Sequence, residues 1–346
     1  MKTSNRITKS VFVGAAALAA VAVVPALTGA VPTMDIETVL IEAPGGIANA
    51  PDSATGSVHG SVGYDYYIGK YEVTQGQWKD FLNEVAKTDS HGLYNDFMGI
   101  SASYSGITRS GVSGSYSYSL VNEDYARRPV IFVNLLDAKR FCNWLTTGNT
   151  ELGLYDMGVG HGNDERDTAA WSANGGVVLP DENEWYKAAY YDPNKGGSGV
   201  GGYHEYSTTG SGNTAGDTMD PGYANYNDLY LHGAEGWTYR LSPVEFYKDY
   251  ASAYGVVDMT GNVSEWIDIP NGSTRVVRGG SCGNTDTGLA AGFSWPHFTP
   301  GDELGDLGFR VASLAPIPEP STYGVIGGAL VGLLYLLGRK RRAVAP

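Results

Sequence analysis

Sulfur and positive charge are both scarce in this chain of 346 residues. Its two cysteines, Cys142 and Cys282, allow at most one disulfide, which excludes a small scaffold held together by several such bonds. Lys and Arg number 23 against 37 Asp and Glu, so the formal charge is −14. Nucleic acid and anionic lipid are both bound through Lys and Arg, and this balance therefore argues against either partner.

Histidine is also sparse, and its six copies are scattered. An iron site of the two-histidine, one-carboxylate kind needs its ligands on one face, and no two of these histidines form a helical pair. The chain has few long periodic segments and many Gly and Tyr residues, 48 and 24 respectively, which indicates a loop-rich fold. No internal repeat of fixed period is found.

The N-terminal 30 residues have the composition of a secretory signal. Lys2, Arg6 and Lys9 precede an apolar run over 11–27, and small residues follow up to Ala30. This order of basic, apolar and small-residue regions predicts a signal peptide at 1–30 that is cleaved near Ala30. A retained membrane helix is the alternative.

Residues 315–346 combine a Pro-Glu-Pro motif at 318–320, an apolar stretch at 323–338 and a basic cluster at 339–342. The apolar stretch is slightly short for a spanning helix, which needs about 17–25 residues, and the basic cluster should stay cytoplasmic. This tail resembles the PEP-CTERM sorting signal of Gram-negative bacteria, which implies recognition and cleavage by a membrane-embedded exosortase. A permanent single-pass anchor is the alternative. In either case the domain would lie beyond the cytoplasmic membrane.

Two regions separate these ends. Residues 31–60 are rich in Ala, Pro, Gly and Ser and are interpreted as a linker, whereas residues 61–314 are long enough for one large domain. Seven of the 23 Lys and Arg residues and one of the 37 acidic residues, Glu319, lie in the two ends, so 16 basic and 36 acidic residues remain, a formal charge of about −20. Such a charge keeps an exported protein soluble and can recruit hard cations.

Three helices are predicted from their capping residues. Thr74 begins the first, and Gln77 completes its capping box before an apolar stripe at i, i+3, i+4 and i+7. Asn134 caps the second helix. Asp181 caps the third, with Glu184 three residues further on.

Strands are predicted at 66–73, 275–278 and 309–311. Residues 88–125 and 192–222 are rich in Gly and Ser and are predicted to be long surface excursions. Cys142 falls on the apolar face of the second predicted helix, which favours a buried thiol, although a disulfide to Cys282 is an alternative.

Five motifs, in order over about 250 residues, resemble the formylglycine-generating enzyme, or sulfatase-modifying factor, family. They are Ile68-Gly-Lys-Tyr-Glu-Val-Thr74 with Trp78, Arg128-Pro-Val130 with Cys142-Asn-Trp-Leu145, Leu179-Pro-Asp-Glu-Asn-Glu-Trp185, Asp258-Met-Thr-Gly-Asn-Val-Ser-Glu-Trp266, and Arg278-Gly-Gly-Ser281 with Gly308-Phe-Arg310. The family fold is a variant of the C-type lectin fold, with irregular coil around a small mixed sheet. The resemblance implies an α+β fold with little regular secondary structure, to which the termini add apolar helices.

Active members of this family hold Cu(I) between two thiolates and oxidise a substrate cysteine with oxygen. Those thiolates lie three and eight residues after the Gly-Gly-Ser motif, where this chain has Asn284 and Leu289. Cu(I) selects soft sulfur ligands, and the one thiol nearby is Cys282, where relatives often carry Trp. A copper site would require Cys142 to fold against Cys282. The resemblance therefore makes Cys282 the candidate catalytic residue of an oxidase that lacks its second thiolate.

Calcium is the other cofactor that the resemblance implies, because Ca²⁺ binds carboxylate and carbonyl oxygens. The residues that match the family's two calcium sites are Asp258, Gly261, Val263 and Glu265 for the first site and Asn225 and Tyr226 for the second. Gly261 and Asn262 also suit a turn with positive φ. A capped turn without metal is the alternative for the first site, and the carboxylate of the second site does not align.

These observations predict a non-catalytic module that is stabilised by calcium and sorted to the cell envelope, the surface or the extracellular matrix of a Gram-negative bacterium. Residues 323–338 would anchor it at least transiently in the inner membrane. Its loops at 88–125 and 192–240 are rich in Tyr, Asn, Asp and Gly and would contact a polysaccharide or a protein, which associates the module with the biofilm matrix. The alternative is an enzyme that converts a protein cysteine to formylglycine with copper and oxygen.

Overall fold

The computed structural model describes residues 32–100, 106–158, 165–208, 223–227, 241–269 and 275–317. The predicted signal peptide at 1–30, and the sorting tail and apolar helix beyond residue 317, lie outside these ranges. Among the helices in the described ranges, none combines the length and the apolar character required for a membrane span.

Five α-helices belong to the described part of the chain. They are α1 Gln75–Val85, α2 Phe97–Ile100, α3 Leu135–Thr147, α4 Thr168–Asn174 and α5 Glu182–Tyr190. The three predicted caps are confirmed: Thr74 accepts from the backbone N–H of Gln77, and Asn134 and Asp181 make the corresponding bonds at the starts of α3 and α5. Each of the three forms a capping box, which satisfies backbone donors that a helix start would otherwise leave unpaired.

The strands form two four-stranded sheets and two hairpins. The strands are β1 Thr38–Ile41, β2 Tyr66–Gly69, β3 Ile107–Ser110, β4 Ser117–Leu120, β5 Val177–Val178, β6 Tyr191–Asp192, β7 Gly202–Tyr203, β8 Ser264–Trp266, β9 Arg275–Arg278, β10 Trp295–Phe298, β11 Leu307–Phe309 and β12 Ala312–Ser313. The first sheet has the order β1-β2-β12-β5 and the second has the order β10-β9-β8-β11. All neighbours are antiparallel except β8 and β11, which run parallel with Gly308 opposite Glu265.

The segment interpreted as a linker, residues 31–60, contributes to the fold. Strand β1 pairs with β2 from Thr38 opposite Gly69 to Ile41 opposite Tyr66, and Met34, Ile36 and Ile41 are buried. This finding corrects the interpretation of the segment as a connection. Its strand is only four residues long and is surrounded by Pro, Gly and Ser, so periodicity does not reveal it.

The predicted surface excursion at 88–125 also contains regular structure. Strands β3 and β4 pair as a hairpin. Two hydrogen bonds hold the hairpin against the C-terminal end of α1. The Tyr118 hydroxyl donates to the carbonyl of Ala86, the residue after α1, at 2.8 Å, and Nδ2 of Asn83 donates to the carbonyl of Tyr118 at 2.8 Å. The segment is therefore tied to the core rather than being irregular throughout.

An aromatic cluster between α1 and α3 forms the centre of the larger core. Trp78 lies 4.9 Å from Phe81 and 5.7 Å from Phe141, measured between ring centroids, and Phe309 of β11 closes the cluster at 6.0 Å from Trp78. The second sheet is thereby fixed against the two helices. Because Arg310 directly follows β11, this packing also determines where its side chain enters the interior.

Candidate functional site

Glu265 and Arg310 form a fully buried ion pair at the centre of the second sheet. The parallel pairing of β8 and β11 brings the two residues together. Arg310 donates from Nε to Oε1 and Oε2 of Glu265 at 2.9 and 2.7 Å, and from Nη2 to Oε1 at 2.6 Å. It also donates to the carbonyls of Gly69 and Val257, at 3.0 and 3.1 Å. The guanidinium therefore joins both sheets to the Asp258 turn.

The second oxygen of Glu265 has a further partner. Trp185 of α5 donates from Nε1 to Oε2 of Glu265 at 2.7 Å. Both carboxylate oxygens are thus bound by protein donors, and the positive charge of Arg310 lies beside them. In this arrangement Glu265 is neutralised by the protein itself, which makes it a poor ligand for a cation.

Asp258 lies beside this pair in a sharp turn. Its φ is +55°, and Gly261 and Asn262 follow with φ of +86° and +61°, so the predicted positive-φ turn is confirmed. Gly261 is required there because a Cβ would meet the carbonyl oxygen of Asn225 at 2.4 Å. Asp258 is 6% exposed, and within the described residues neither of its oxygens has a hydrogen-bond partner. Burial raises the pKa of Asp258 to about 8, against the opposing charge of Arg310.

Glu72 completes what we call the carboxylate cluster: Glu72, Asp258 and Glu265, with Arg310. It is 2% exposed, and its Oε1 accepts from Nδ2 of Asn262 at 3.1 Å. Its Oε2 has no hydrogen-bond partner in the described part of the chain. Burial, followed by the negative charge of Asp258, raises the pKa of Glu72 well above its usual range. The sequence analysis missed Glu72, although it lies within the Ile68–Thr74 motif.

The composition of the carboxylate cluster suits a divalent cation. Three carboxylates and one guanidinium give a net charge of −2 when all are ionised, and buried charge is costly unless it is compensated. Calcium takes oxygen ligands, and both oxygens of Asp258 together with Oε2 of Glu72 have no protein donor within the described residues. No group of three or more acidic, His or Cys side chains arranged as metal ligands occurs in the ranges that the structure describes. Backbone or amide oxygens would have to complete the coordination.

The remaining residues of the predicted first calcium site lie in the same turn. Gly261 and Val263 are both buried, and the N–H of Gly261 donates to the carbonyl of Gly279 at 3.1 Å. The structure therefore brings all four residues of that site together. It differs from the sequence prediction in pairing Glu265 with Arg310.

The predicted second site is connected to the first. The carbonyl of Asn225 accepts from the N–H of Asn262 at 2.8 Å, and its Nδ2 donates to Oδ1 of Asn262 at 3.1 Å. Tyr226 is buried against Tyr206 and Leu289. Asn225 thus supports the Asn262 side chain that holds Glu72, whereas Tyr226 belongs to an apolar cluster.

The two cysteines lie in different parts of the core. Cys142 packs in the large cluster around α1 and α3, and Cys282 packs with Ile131, Leu241 and Val263. No disulfide joins them. Burial raises the pKa of the Cys142 thiol well above its usual range, which disfavours the thiolate that binds metal.

Structural contacts occupy the two positions at which active members carry thiolates. Oδ1 of Asn284 accepts from the N–H of Ser281 at 2.7 Å and from its hydroxyl at 3.2 Å. Leu289 is fully buried against Tyr206 and Tyr226. Both residues therefore stabilise the loop after the Gly-Gly-Ser motif.

Comparison with known proteins places the chain in a family. It matches the family model for the sulfatase-modifying factor enzyme 1-like domain over residues 28–315. It is similar to the chaperone protein LppX of Paenibacillus barcinonensis, with 27% identity over 270 residues that cover 71% of this chain and 79% of the relative. It is also similar to hercynine oxygenase of Mycobacterium tuberculosis, with 26% identity over 259 residues, 67% of this chain and 49% of that enzyme.

Among solved structures, variable protein 1 of Treponema denticola superposes with a TM-score of 0.50 at 25% identity, covering 83% of this chain and 98% of the other. The matched part of this chain spans about half the length of the hercynine oxygenase. The mixed α/β architecture, the ordered motifs and the family match over residues 28–315 lead to one conclusion: the chain belongs to the sulfatase-modifying factor family.

Proposed function

We propose that this protein is an exported, non-catalytic member of its family, stabilised by calcium and sorted to the cell surface or the extracellular matrix. The observation that carries the proposal is the use of Asn284 and Leu289 for structural contacts at the positions of the thiolate pair. One relative is named as a chaperone and the other as an oxygenase, so their names do not agree on a binding role or on an oxidation. The choice between a non-catalytic module and an oxidase therefore rests on the residues of this chain.

The chain's own sulfur atoms argue against copper oxidation. Cu(I) is held by paired soft ligands, and the two cysteines lie in separate clusters of the core. Cys282 is surrounded by the apolar side chains of Ile131, Leu241 and Val263. A buried thiol in such surroundings is inert rather than reactive.

The calcium part of the proposal is supported by the carboxylate cluster. Asp258 and Glu72 would hold the ion, with Gly261 and Val263 supplying backbone oxygens as in the family. The ion would supply positive charge in the interior and no chemistry at a substrate. Its role would be to join the turn at Asp258 to the segment at Glu72, two parts of the chain far apart in sequence.

Export and sorting follow from the two ends of the chain. The signal at 1–30 would direct secretion, and the tail at 315–346 would be recognised by an exosortase, with residues 323–338 in the membrane. The acidic domain between them would then contact an extracellular polysaccharide or protein through the loops at 88–125 and 192–240. The β3–β4 hairpin gives regular structure to residues 107–120 of the first of these loops.

An oxidation assay separates this proposal from the alternative of a formylglycine-generating oxidase. The purified protein is incubated with Cu(I), oxygen and a cysteine-containing sulfatase peptide, and mass spectrometry follows the loss of mass that accompanies aldehyde formation. We expect no product above that of the Cys282→Ser variant, with Cys142→Ser as the matched control. Turnover that is abolished by Cys282→Ser and retained by Cys142→Ser would overturn the proposal.

A further inference from the structure

We propose that an apolar groove beside the C-terminal end of α3 is the docking site for the apolar stretch at 323–338 of the same chain, when that stretch is outside a membrane. The inference uses the composition of this tail segment and its point of attachment to the described residues. It goes beyond the proposed function and depends neither on calcium nor on recognition by an exosortase.

The groove is a concave, uncharged surface with a volume of about 710 Å³. Leu145, Leu152 and Leu154 come from α3 and the segment after it, and Ala170 and Val177 come from α4 and β5. Every residue that lines the groove is uncharged, although charged residues make up 17% of the chain. Sites that take largely apolar ligands have volumes of about 300–1,000 Å³. The lining therefore suits an uncharged, apolar occupant.

Part of the apolar lining faces water in the described structure. Leu152 is 55% exposed, whereas Leu145 and Leu154 of the same lining are 5% and 6% exposed. The space beside Gly175 is also open, since a Cβ there would meet no described atom within 4 Å. A continuous apolar surface that stays open to water usually marks a binding site.

The C-terminal end of the described residues runs into this groove. Ala315, Pro316 and Ile317 are among the lining residues. Ala315 and Pro316 are exposed, but Ile317 is 8% exposed and packs in the same core cluster as Leu145 and Leu154. The chain therefore enters the groove with one apolar side chain already buried there.

The residues that follow Ile317 have the chemistry that the groove would accept. The tail segment at 323–338 contains no charged residue: five of its residues are Gly, and the others are Ala, Val, Ile, Leu and Tyr. The connection from Ile317 to Tyr323 spans no more than about 20 Å even when fully extended. A tether this short gives an effective concentration of about the millimolar range, so a weak affinity for the groove is sufficient.

The volume of the groove decides how much of the tail segment docks. A site of about 710 Å³ has the size that encloses a drug-sized ligand, so it holds a few side chains and not the whole segment. We therefore assign the groove to the first half of the segment, residues 323–331, which lies nearest the attachment point. Docking removes these apolar side chains from water, which is favourable and keeps them from associating with other copies of the chain.

Cysteine crosslinking of the full-length chain tests the inference. Both native cysteines are buried, so introduced cysteines react selectively. Leu152→Cys in the groove is combined with Ala329→Cys in the tail, a short bismaleimide is added in buffer without detergent, and crosslinked peptides are identified by mass spectrometry. We expect a crosslink within one chain. Unreacted native cysteines in the same digest show that the variant is folded.

The tether alone brings the two introduced cysteines near each other, so the matched control keeps the tether and changes the tail. Adding Ile326→Asp and Leu330→Asp should lower the yield of the crosslink at least about fivefold, because a charged segment does not enter an apolar groove. Phosphatidylcholine vesicles should also lower the yield with the native tail, since the bilayer competes for the same apolar residues.

The remaining outcomes would each overturn the inference. A yield that the two aspartates leave unchanged would show proximity without docking. Crosslinks only between chains, rising with protein concentration, would assign the groove to a second copy. Protection of Leu152→Cys alone from a hydrophilic maleimide, seen only when vesicles are present, would assign the groove to lipid.

Discussion

Replacing Arg310 with Met should destabilise the protein more than any other single ion-pair substitution among the described residues. Arg310 is fully buried and makes three bonds to Glu265 and two close bonds to the carbonyls of Gly69 and Val257. Removing one partner of a buried pair leaves an uncompensated charge and costs about 3–5 kcal/mol. For a domain of this size, that loss corresponds to a fall in melting temperature of roughly 6–20 °C.

The Arg310 assay is urea unfolding followed by tryptophan fluorescence, with EGTA present so that calcium does not mask the loss. The matched control is Arg127→Met, since Arg127 pairs with Glu245 at 3.1 Å but both side chains are about half exposed. That pair should contribute at most about 1 kcal/mol. Adding Glu265→Gln to Arg310→Met removes one negative charge and so restores the wild-type net charge of the carboxylate cluster, and we expect it to recover part of the stability. The reasoning is refuted if Arg310→Met costs no more than the control, or if the double variant is no more stable than the single one.

Two further predictions concern a titrating side chain and a turn. Burial raises the pKa of Asp137 to about 8, so the folded protein binds the carboxyl proton of Asp137 more tightly than the unfolded chain does. The free energy of unfolding of the wild type therefore falls as the pH rises from about 4 to 8. Asp137→Asn should gain stability relative to the wild type between pH 5 and 9 in urea titrations, and parallel pH dependences of the two proteins would contradict this. Gly261→Ala should cost at least about 2 kcal/mol more stability than Gly255→Ala. Both glycines have φ near +90°, but only at Gly261 would a Cβ meet the carbonyl of Asn225. Equal losses of stability in thermal melts would show that the close approach of Gly261 to Asn225 is unimportant.

The parts of the fold that were predictable depend on local chemistry. Thr74, Asn134 and Asp181 begin helices because each side chain bonds to a backbone N–H three residues away, and that spacing is visible in the sequence. Strand β1 was not predictable, since its pairing with β2 connects residues across a long coil of Pro, Gly and Ser. Four residues do not show a period clearly enough to identify a strand.

The same distinction applies to the carboxylate cluster. The motif that contains Asp258 and Glu265 was sufficient to predict that both residues lie close together in the chain, Asp258 in the turn and Glu265 in the strand that follows it. The pairing of Glu265 with Arg310, 45 residues later, depends on the parallel register of β8 and β11. The bond from Asn262 to Glu72 spans 190 residues. Interactions between residues so far apart in sequence depend on tertiary packing, and a local pattern in a single sequence does not predict them.

Metal analysis of the purified full-length chain tests the central claim most directly. The protein is equilibrated with both calcium and buffered Cu(I) and separated from unbound metal by gel filtration. Its bound metals are then quantified by inductively coupled plasma mass spectrometry. The account predicts about one calcium ion per chain, absent from Asp258→Asn, and no more copper than in Cys282→Ser. Stoichiometric copper without calcium would contradict it.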